Sequence, residues 1–361
     1  KPDFTTIPLN SLEAFSVSGP NWIVASDAEA DMDIEGAMKP VAGSGVLVNN
    51  ISKKSKAHLV TKENFGDVEL ELDFMMSKGS NSGIYLLGRY EIQLFDSWAR
   101  TNPTYVDCGG IYQRWNNATN SGYEGIAPLV NVARAPGLWQ HLRIKFRAPR
   151  FNGQGIKTEN AIFEEVYLNG VLVQQQAAVT GPTRSAYFED EKPVGPVMIQ
   201  GDHGNVAIRN IRYRAATPDS NATEKKRMVD PIIVDPGNKP YLLRSFLSYG
   251  KAMITHAISV GTPGQLNYSY DLKRGALLQV WRGRFADATD LWYERGEPYQ
   301  RIVPLGSVVQ LSDAPSMAVL QDEQSTDWPE YASFDEVPAR GYTLDGERMP
   351  TFRYSLQGAD I

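Results

Sequence analysis

Glu91 and Gln93 stand two residues apart in Tyr90-Glu91-Ile92-Gln93-Leu94-Phe95. A carboxyl beside a primary amide can move a proton and hold a hydroxyl or a carbonyl. The segment is aromatic and β-branched with alternating polarity, which predicts a strand over residues 90–95. Side chains alternate faces along a strand, so Glu91 and Gln93 project together while Tyr90, Ile92 and Leu94 project the other way. Residues 83–87 predict a preceding strand, joined to this one at Gly88-Arg89. An acid and an amide side by side are costly on a sheet face unless that face is wet, and a wet concave face is a binding site. The competing reading is the solvent-exposed outer face of a sandwich strand.

A second group of candidates comes later: Gln200, His203 and Arg209. His203 is an acid or base suited to neutral pH, and Arg209 could anchor an oxygen or orient Glu91. The alternatives are a tight turn over residues 202–205 and a structural ion pair for Arg209. Asp96 lies five residues after Glu91 and faces the opposite side unless a β-bulge turns it, so a strand-end turn role suits it better. Tyr85, Tyr112 and Trp115 offer stacking surface, although aromatic residues in a sandwich are more often core. His58, His141 and His256 have no partners by spacing and read as structural. Cys108, the one cysteine, excludes an internal disulfide and reads as a small buried hydrophobe.

The net charge of −6 argues against a nucleic-acid partner, which demands a basic face. No apolar run is long enough to cross a bilayer as a helix. The four histidines show no paired metal-ligand spacing, so neither a metal nor another cofactor is signalled. The chain opens Lys1-Pro2-Asp3 without a signal peptide, and the expectation is a periplasmic or secreted protein whose leader, with or without a lipid anchor, has been removed.

At 361 residues the chain should hold more than one domain. Residues 1–45 read as loop, apart from a strand at 22–24. The alternating acids Asp27, Glu29, Asp31 and Asp33 read as a solvated loop, lacking the glycine and terminal glutamate of an EF-hand. Over residues 65–76, Val68, Leu70 and Leu72 face one way and Glu69, Glu71 and Asp73 the other, predicting a half-buried strand with a solvated acidic face. Strands are also predicted at 45–49, 58–61, 109–114, 139–146, 163–168, 171–175, 196–200 and 206–213, and Asn169-Gly170 signals a type I′ hairpin turn. Many short strands with no sustained helical period mean an all-β sandwich or jelly roll. Residues 217–230 are polar and read as a linker between a first domain, 1–216, and a second β-rich domain, 231–361. The second domain stops at Ile361 directly after a strand-like segment, the expectation being that it is incomplete.

Several segments occur in a telling order: Phe65-Gly66-Asp67-Val68, Asn81-Ser82-Gly83-Ile84-Tyr85, Tyr90 to Asp96, Gly110-Ile111-Tyr112, Trp139, Asn169-Gly170, Gly181-Pro182-Thr183 and Gln200 to Ile211. Over about residues 20–215 the chain resembles the 3-keto-disaccharide hydrolase family, a concanavalin-like jelly roll of secreted bacterial proteins. Departures are Leu86, where arginine is often found, and Gly201 between Gln200 and Asp202-His203. The second domain, through Ile258 to Pro263, Asn267 to Asp271, Val280 to Phe285 and Pro304-Leu305-Gly306, is similar to a β-sandwich that accompanies sugar-dehydrogenase and haem-containing secreted proteins. This chain has no Cys-x-x-Cys-His for covalent haem.

The resemblance implies a glycosidase acting on a sugar whose C3 carries a ketone. That ketone acidifies the C2 proton, opening a route of C2 deprotonation, elimination of the C1 oxygen and hydration. The implied catalytic residues are Glu91 and His203, with Gln93, Asn81, Tyr85, Asp96, Tyr112, Gln200 and Arg209 binding an oligosaccharide or glycoside. Two alternatives stand beside it. One is a non-catalytic lectin-like module. The other is a laminarinase-like glucanase, weakened because Glu-x-Gln-x-x-Asp replaces the Glu-x-Asp-x-x-Glu such enzymes carry on this strand.

Overall fold

The structure, a computed structural model, describes residues 3–216, 232–250, 252–293, 300–312, 324, 339–356 and 359–360. The chain divides into two compact units, residues 1–228 and 229–361, and the linker expected at 217–230 lies outside the described residues.

In the first unit the strands are β1 Thr5–Thr6, β2 Phe15–Val17, β3 Trp22–Ala30, β4 Met38–Asn49, β5 Leu59–Phe65, β6 Val68–Met76, β7 Asn81–Leu86, β8 Tyr90–Phe95, β9 Arg114–Asn116 and β10 Ser121–Tyr123. They continue with β11 Gln140–Arg147, β12 Arg150–Phe151, β13 Lys157–Glu159, β14 Ala161–Leu168, β15 Val171–Val179, β16 Gly195–Ile199 and β17 Val206–Ala215. Two antiparallel sheets carry the fold. The larger runs β15-β14-β11-β6-β17-β4-β3, with β1 also on β17; the smaller runs β2-β5-β16-β7-β8. This is the concanavalin-like jelly-roll sandwich of an all-β protein.

Alternation builds the core. Val68, Leu70, Leu72 and Phe74 of β6, Leu142, Ile144 and Phe146 of β11, and Ile84, Tyr90, Ile92 and Leu94 of β7 and β8 are all buried. The Tyr90 and Phe146 rings, 5.6 Å apart, join the two sheets.

The acids of β6 are not a solvated face. Glu69 and Glu71 are 1% and 7% exposed, because the strands on both sides of β6 are basic. Arg143 of β11 stands opposite Glu71, and Arg209, Arg212 and Arg214 of β17 stand opposite Asp73, Glu71 and Glu69. Arg212 and Arg214 contact Glu71 and Glu69 at 2.5 Å each, and opposite charges directly across a ladder stabilise the pairing.

The expected loop before residue 45 is instead the long β3–β4 hairpin. Asp27 and Glu29 therefore sit on a strand, and Asp27 accepts a hydrogen bond from the Trp139 indole. The strand expected at 109–114 is reduced to two isolated bridges at Ile111, which lies between Ile92 and Ile126.

The second unit is β-rich: β18 Ile233–Val234, β19 Tyr241–Tyr249, β20 Ala252–Gly261, β21 Leu266–Asp271, β22 Ala276–Asp287, the short α1 Thr289–Trp292, β23 Val303–Gln310, β24 Ala339–Leu344, β25 Pro350–Leu356 and β26 Ala359–Asp360. One sheet runs β18-β22-β21-β20-β19 with β23 also on β22, and β24, β25 and β26 form a second. No helix among the described residues is long and apolar enough to cross a membrane.

Candidate active site

The β7–β8 hairpin positions the first candidates. Leu87 and Gly88 both adopt positive φ, 54° and 67°, and the Arg89 N–H donates to Leu86 O at 2.9 Å, a type I′ turn whose twist suits the strands it joins. Register then runs without a break from Leu86 opposite Tyr90 to Asn81 opposite Phe95. Gly83 therefore faces Gln93 and Tyr85 faces Glu91. Residues directly opposite share a face, so Asn81, Gly83, Tyr85, Glu91 and Gln93 form one surface, turned away from the core that Ile84, Ile92 and Leu94 fill.

That surface is covered rather than open. Glu91 is 2% and Gln93 3% exposed. The face is buried in part by apolar packing, since Tyr85 clusters with Met198 and Val60 on it, and the edge of β8 is closed by polar bonds. The Tyr112 N–H donates to Glu91 O at 3.2 Å, and Gly109 and Gly110 exchange backbone bonds with Gln93. On the other flank the Glu91 N–H donates to Thr183 Oγ1 at 3.2 Å. The Tyr85 hydroxyl donates to Arg184 O at 3.3 Å. Arg89, itself 2% exposed, secures this flank through Asp190 at 2.6 Å.

Inside, the Gln93 amide nitrogen, oriented to suit its neighbours, donates to Glu91 Oε1 at 3.0 Å and to Ser82 O at 3.2 Å. Glu91 Oε2 is buried with no hydrogen-bond partner among the described residues. Burial pushes the Glu91 carboxyl up to about 8; the Tyr85 hydroxyl nearby opposes this and the negative charge of Asp202 reinforces it. At neutral pH Glu91 is therefore a carboxylic acid with a proton to give. Burial also raises the Tyr85 phenol well above its ordinary value, so it stays protonated.

Strand β16 brings Gln200 to the same surface. Met198 lies opposite Tyr85 and opposite Val60 of β5, and the Gln200 N–H donates to Gly83 O at 2.9 Å. The Gln200 amide oxygen is buried and unpartnered, as is Asn81 Oδ1. Beyond Gln200, His203 Nδ1 lies 2.6 Å from Asp202 Oδ1 and 3.3 Å from Gln200 Nε2. The shorter contact is that of an Nδ1–H donating to Asp202, which leaves Nε2 turned away from this pair. His203 is not packed on the sheet, since its side chain is 53% exposed. A carboxylate that orients an imidazole, and whose charge is felt by the buried Glu91 carboxyl, is equipment for proton transfer.

Two candidates do not join this group. Arg209 lies on the larger sheet, bonded to Asp73 at 3.4 Å and stacked over Trp139 at 3.9 Å; strand pairing carried it to the opposite side of the sandwich from Glu91. Asp96 follows the end of an unbulged strand and accepts the Gly79 N–H at 2.9 Å, a turn role. Tyr112 is half-buried at the edge beside Glu91, but the Trp115 ring is already covered by the Arg184 guanidinium at 3.7 Å. Leu86 points into the core, so its difference from arginine alters no charge on the site's face. Cys108 is fully buried, and burial pushes its thiol up to about 12, which makes it inert.

His58, read as structural, lies against the same loop. Its Nδ1 accepts the Gly201 N–H at 3.1 Å, which sets the tautomer, and burial lowers its pKa against the opposing pull of Asp202. Gly201 itself is required, because a β-carbon there would lie 2.0 Å from Ala57 O. Nothing local to residues 56–60 signals this; only the β5–β16 pairing joins His58 to residues 200–203.

Among solved structures, the chain is similar to a provisionally assigned glycosyl hydrolase from Parabacteroides distasonis. The two are 24% identical over 60% of this chain and 92% of the other, with a TM-score of 0.40. It is also similar to LamA from Zobellia galactanivorans, solved with laminaritriose and laminaritetraose, at 10% identity over 58% and 98% of the two chains and a TM-score of 0.29. No curated protein matches the sequence. Residues 12–214 match the 3-keto-alpha-glucoside-1,2-lyase-like domain, and the chain belongs to that carbohydrate-acting family.

Proposed function

We propose that the first domain, residues 1–216, cleaves 3-keto-glycosides by C2 deprotonation, elimination and hydration. The C3 ketone of the substrate acidifies its C2 proton. His203 Nε2, held by Asp202, takes that proton and an enolate forms across C2 and C3. The enolate collapses, the C1–C2 double bond forms, and the C1–O bond breaks as Glu91 donates its proton to the departing oxygen. In the second half, carboxylate Glu91 takes a proton from water, the hydroxide adds at C1, and the imidazolium returns a proton to C2. Gln93, Gln200, Asn81 and Tyr85 offer the polar contacts for the ketone and the hydroxyls.

The observation that carries this reading is the Glu91 carboxyl: buried, raised to about 8, bonded at Oε1 by Gln93 and unpartnered at Oε2. An acid kept neutral at pH 7 is what expulsion of an alkoxide needs. A glucanase with two facing carboxylates is disfavoured, because Asp96 is engaged by Gly79. On this reading the partner is a glycoside and the protein works in the periplasm or outside the cell.

The test incubates the protein with a panel of 3-keto-glucosides in deuterated solvent, following leaving-group release and deuterium at C2 of the product. Release with deuterium incorporated supports elimination. Saccharide binding without turnover of any oxidised substrate would make the domain a lectin-like module.

A further inference from the structure

His58 stands one residue before β5, and its place follows from register. Val60 of β5 lies opposite Met198 of β16, Met198 lies opposite Tyr85 of β7, and the three side chains cluster on one face. Residues two apart along a strand share a face, so one step further that face carries His58, Gln200, Gly83 and Gln93 in a row. The Glu91 carboxyl leans over Gly83, close enough to fill the place of a β-carbon there. Neighbouring strands are about 4.8 Å apart, which puts His58 and Gly83 roughly 10 Å apart at the backbone with Gln200 between them. A sugar ring with its hydroxyls bridges that span.

A buried network holds the imidazole against the turn that carries His203. Asn21, 2% exposed, accepts the Ala57 N–H at 3.1 Å and donates to Ala57 O at 2.9 Å, and the Trp22 indole donates to the same oxygen at 2.7 Å. Asn21 also donates to Asn49 at 2.7 Å, and Asn49 donates to Gly201 O and Gly204 O at 3.1 and 2.8 Å. The backbone before His58 and the 201–204 turn are thereby fixed to one another.

His58 Nδ1 accepts the Gly201 N–H at 3.1 Å, the only hydrogen bond the ring makes among the described residues. When one nitrogen of a neutral imidazole accepts, the other carries the hydrogen, so Nε2–H is an unspent donor. Burial lowers the pKa of this ring, and the charges of Asp202 and His203, acting on it in opposite senses, mark how near they stand. Its neighbours on the face are already engaged or of the wrong kind. The Gln93 amide donates to Glu91 and to Ser82 O, and the Tyr85 hydroxyl donates to Arg184 O. The buried, unpartnered atoms of Gln200 and Asn81 are oxygens, acceptors suited to sugar hydroxyls. An enolate oxygen needs a donor.

We infer that His58 is a catalytic residue of this site, its Nε2–H donating a hydrogen bond to the C3 ketone oxygen of the substrate. This rests on the elimination proposed for Glu91 and His203. As His203 takes the C2 proton, the C2–H electron pair becomes the C2–C3 double bond and the C3–O π pair moves onto oxygen, where the His58 N–H meets it. His58 neither gains nor loses a proton. A neutral ring suits the task, because an imidazolium would protonate the enolate and quench the electron pair that expels the C1 oxygen.

The test uses the full chain and the 3-keto derivative of 1,5-anhydroglucitol, which has a C2 proton and no leaving group at C1. Exchange of that proton for solvent deuterium reports enolisation apart from cleavage. Asparagine at position 58 keeps an acceptor near the place of Nδ1 and loses the far donor; glutamine keeps a donor near the place of Nε2 and loses the near acceptor. H58N should slow exchange, and cleavage of a 3-keto-glucoside, by about 100-fold, while H58Q should recover to within about ten-fold of wild type. The C3 carbonyl stretch of the bound analogue should move to lower frequency in wild type, and less so in H58N. H58N exchanging at the wild-type rate would overturn the role. So would H58Q exchanging no faster than H58N, which leaves His58 only its bond to Gly201, or a carbonyl stretch unshifted in wild type, a measurement that holds even if H58N does not fold. Exchange by wild type with no effect of H58N would leave the elimination standing without His58, whereas a wild type that neither exchanges nor cleaves would overturn the elimination and this role with it.

Discussion

A β-carbon placed on Gly83 would lie 2.1 Å from Glu91 Oε1 and 2.8 Å from its Cδ. The glycine and the carboxyl share one volume, so the bare backbone at 83 creates the chamber in which Glu91 is held. G83A must displace the acid, because β7 and β8 are locked in register. Its expected result is a loss of turnover of about 100-fold or more, with a stability cost of roughly 1–3 kcal/mol for overpacking. Turnover on a 3-keto-glucoside and a urea melt measure the two, and undiminished turnover would remove Glu91 from the mechanism.

Glu91 also ties activity to pH. Proton donation to the leaving oxygen requires the neutral acid, so kcat should fall as pH rises through about 8. In E91Q the alkaline fall should vanish together with most of the activity, while saccharide binding persists.

The same carboxyl has a stability signature. Folded Glu91 keeps its proton to about 8, whereas an ordinary glutamate releases it near 4.5. Between these values the unfolded chain binds fewer protons than the folded one, so stability contributed at low pH is lost as pH rises through that window. E91Q has no such proton to retain. It should melt above wild type at pH 8, by an amount on the order of a few kcal/mol, and the two should converge near pH 4.5. A wild-type advantage at pH 8 would contradict the buried, neutral acid.

D202N probes the orientation of His203. The Asp202 carboxylate fixes Nδ1 as the protonated nitrogen; an amide does not impose that tautomer. We expect kcat to fall by about 10- to 1,000-fold with little change in KM. H203A should cost at least as much, and H203A/D202N no more than H203A alone. Additive losses would mean that the two residues act separately.

R209A serves as the control from the other side of the sandwich. Turnover should stay within about two-fold of wild type, while Asp73 loses one of its partners and stability drops by about 1 kcal/mol. A large loss of turnover with normal stability would return Arg209 to the site.

How much was legible depended on whether the information was local. The alternation of β6 and β8 and the Asn169-Gly170 turn, with φ of 53° and 82°, could be read directly, because both the strand period and the turn geometry belong to neighbouring residues. The β3–β4 hairpin was hidden by acids on its outward positions, which read as loop until β4 pairs with β17. Where Arg209 and His58 would lie was not legible for one reason: which sheet a strand joins, and which face its residues show, is set by partners more than a hundred positions away in the chain.

By itself, the sequence determined that this is an all-β protein with a jelly-roll domain, that Glu91 and Gln93 lie on one side of a strand, and that Asp202 and His203 are neighbours. Only the tertiary structure decided that Gly83 makes room for Glu91, that burial raises the carboxyl to about 8, and that Gln200 is bonded to Gly83 of the same hairpin while Arg209 lies on the other sheet. The physical reason is that desolvation and register depend on what packs against a residue, and here Glu91 is met by Gly83, Tyr85, Tyr112 and Thr183, from three separate stretches of the chain.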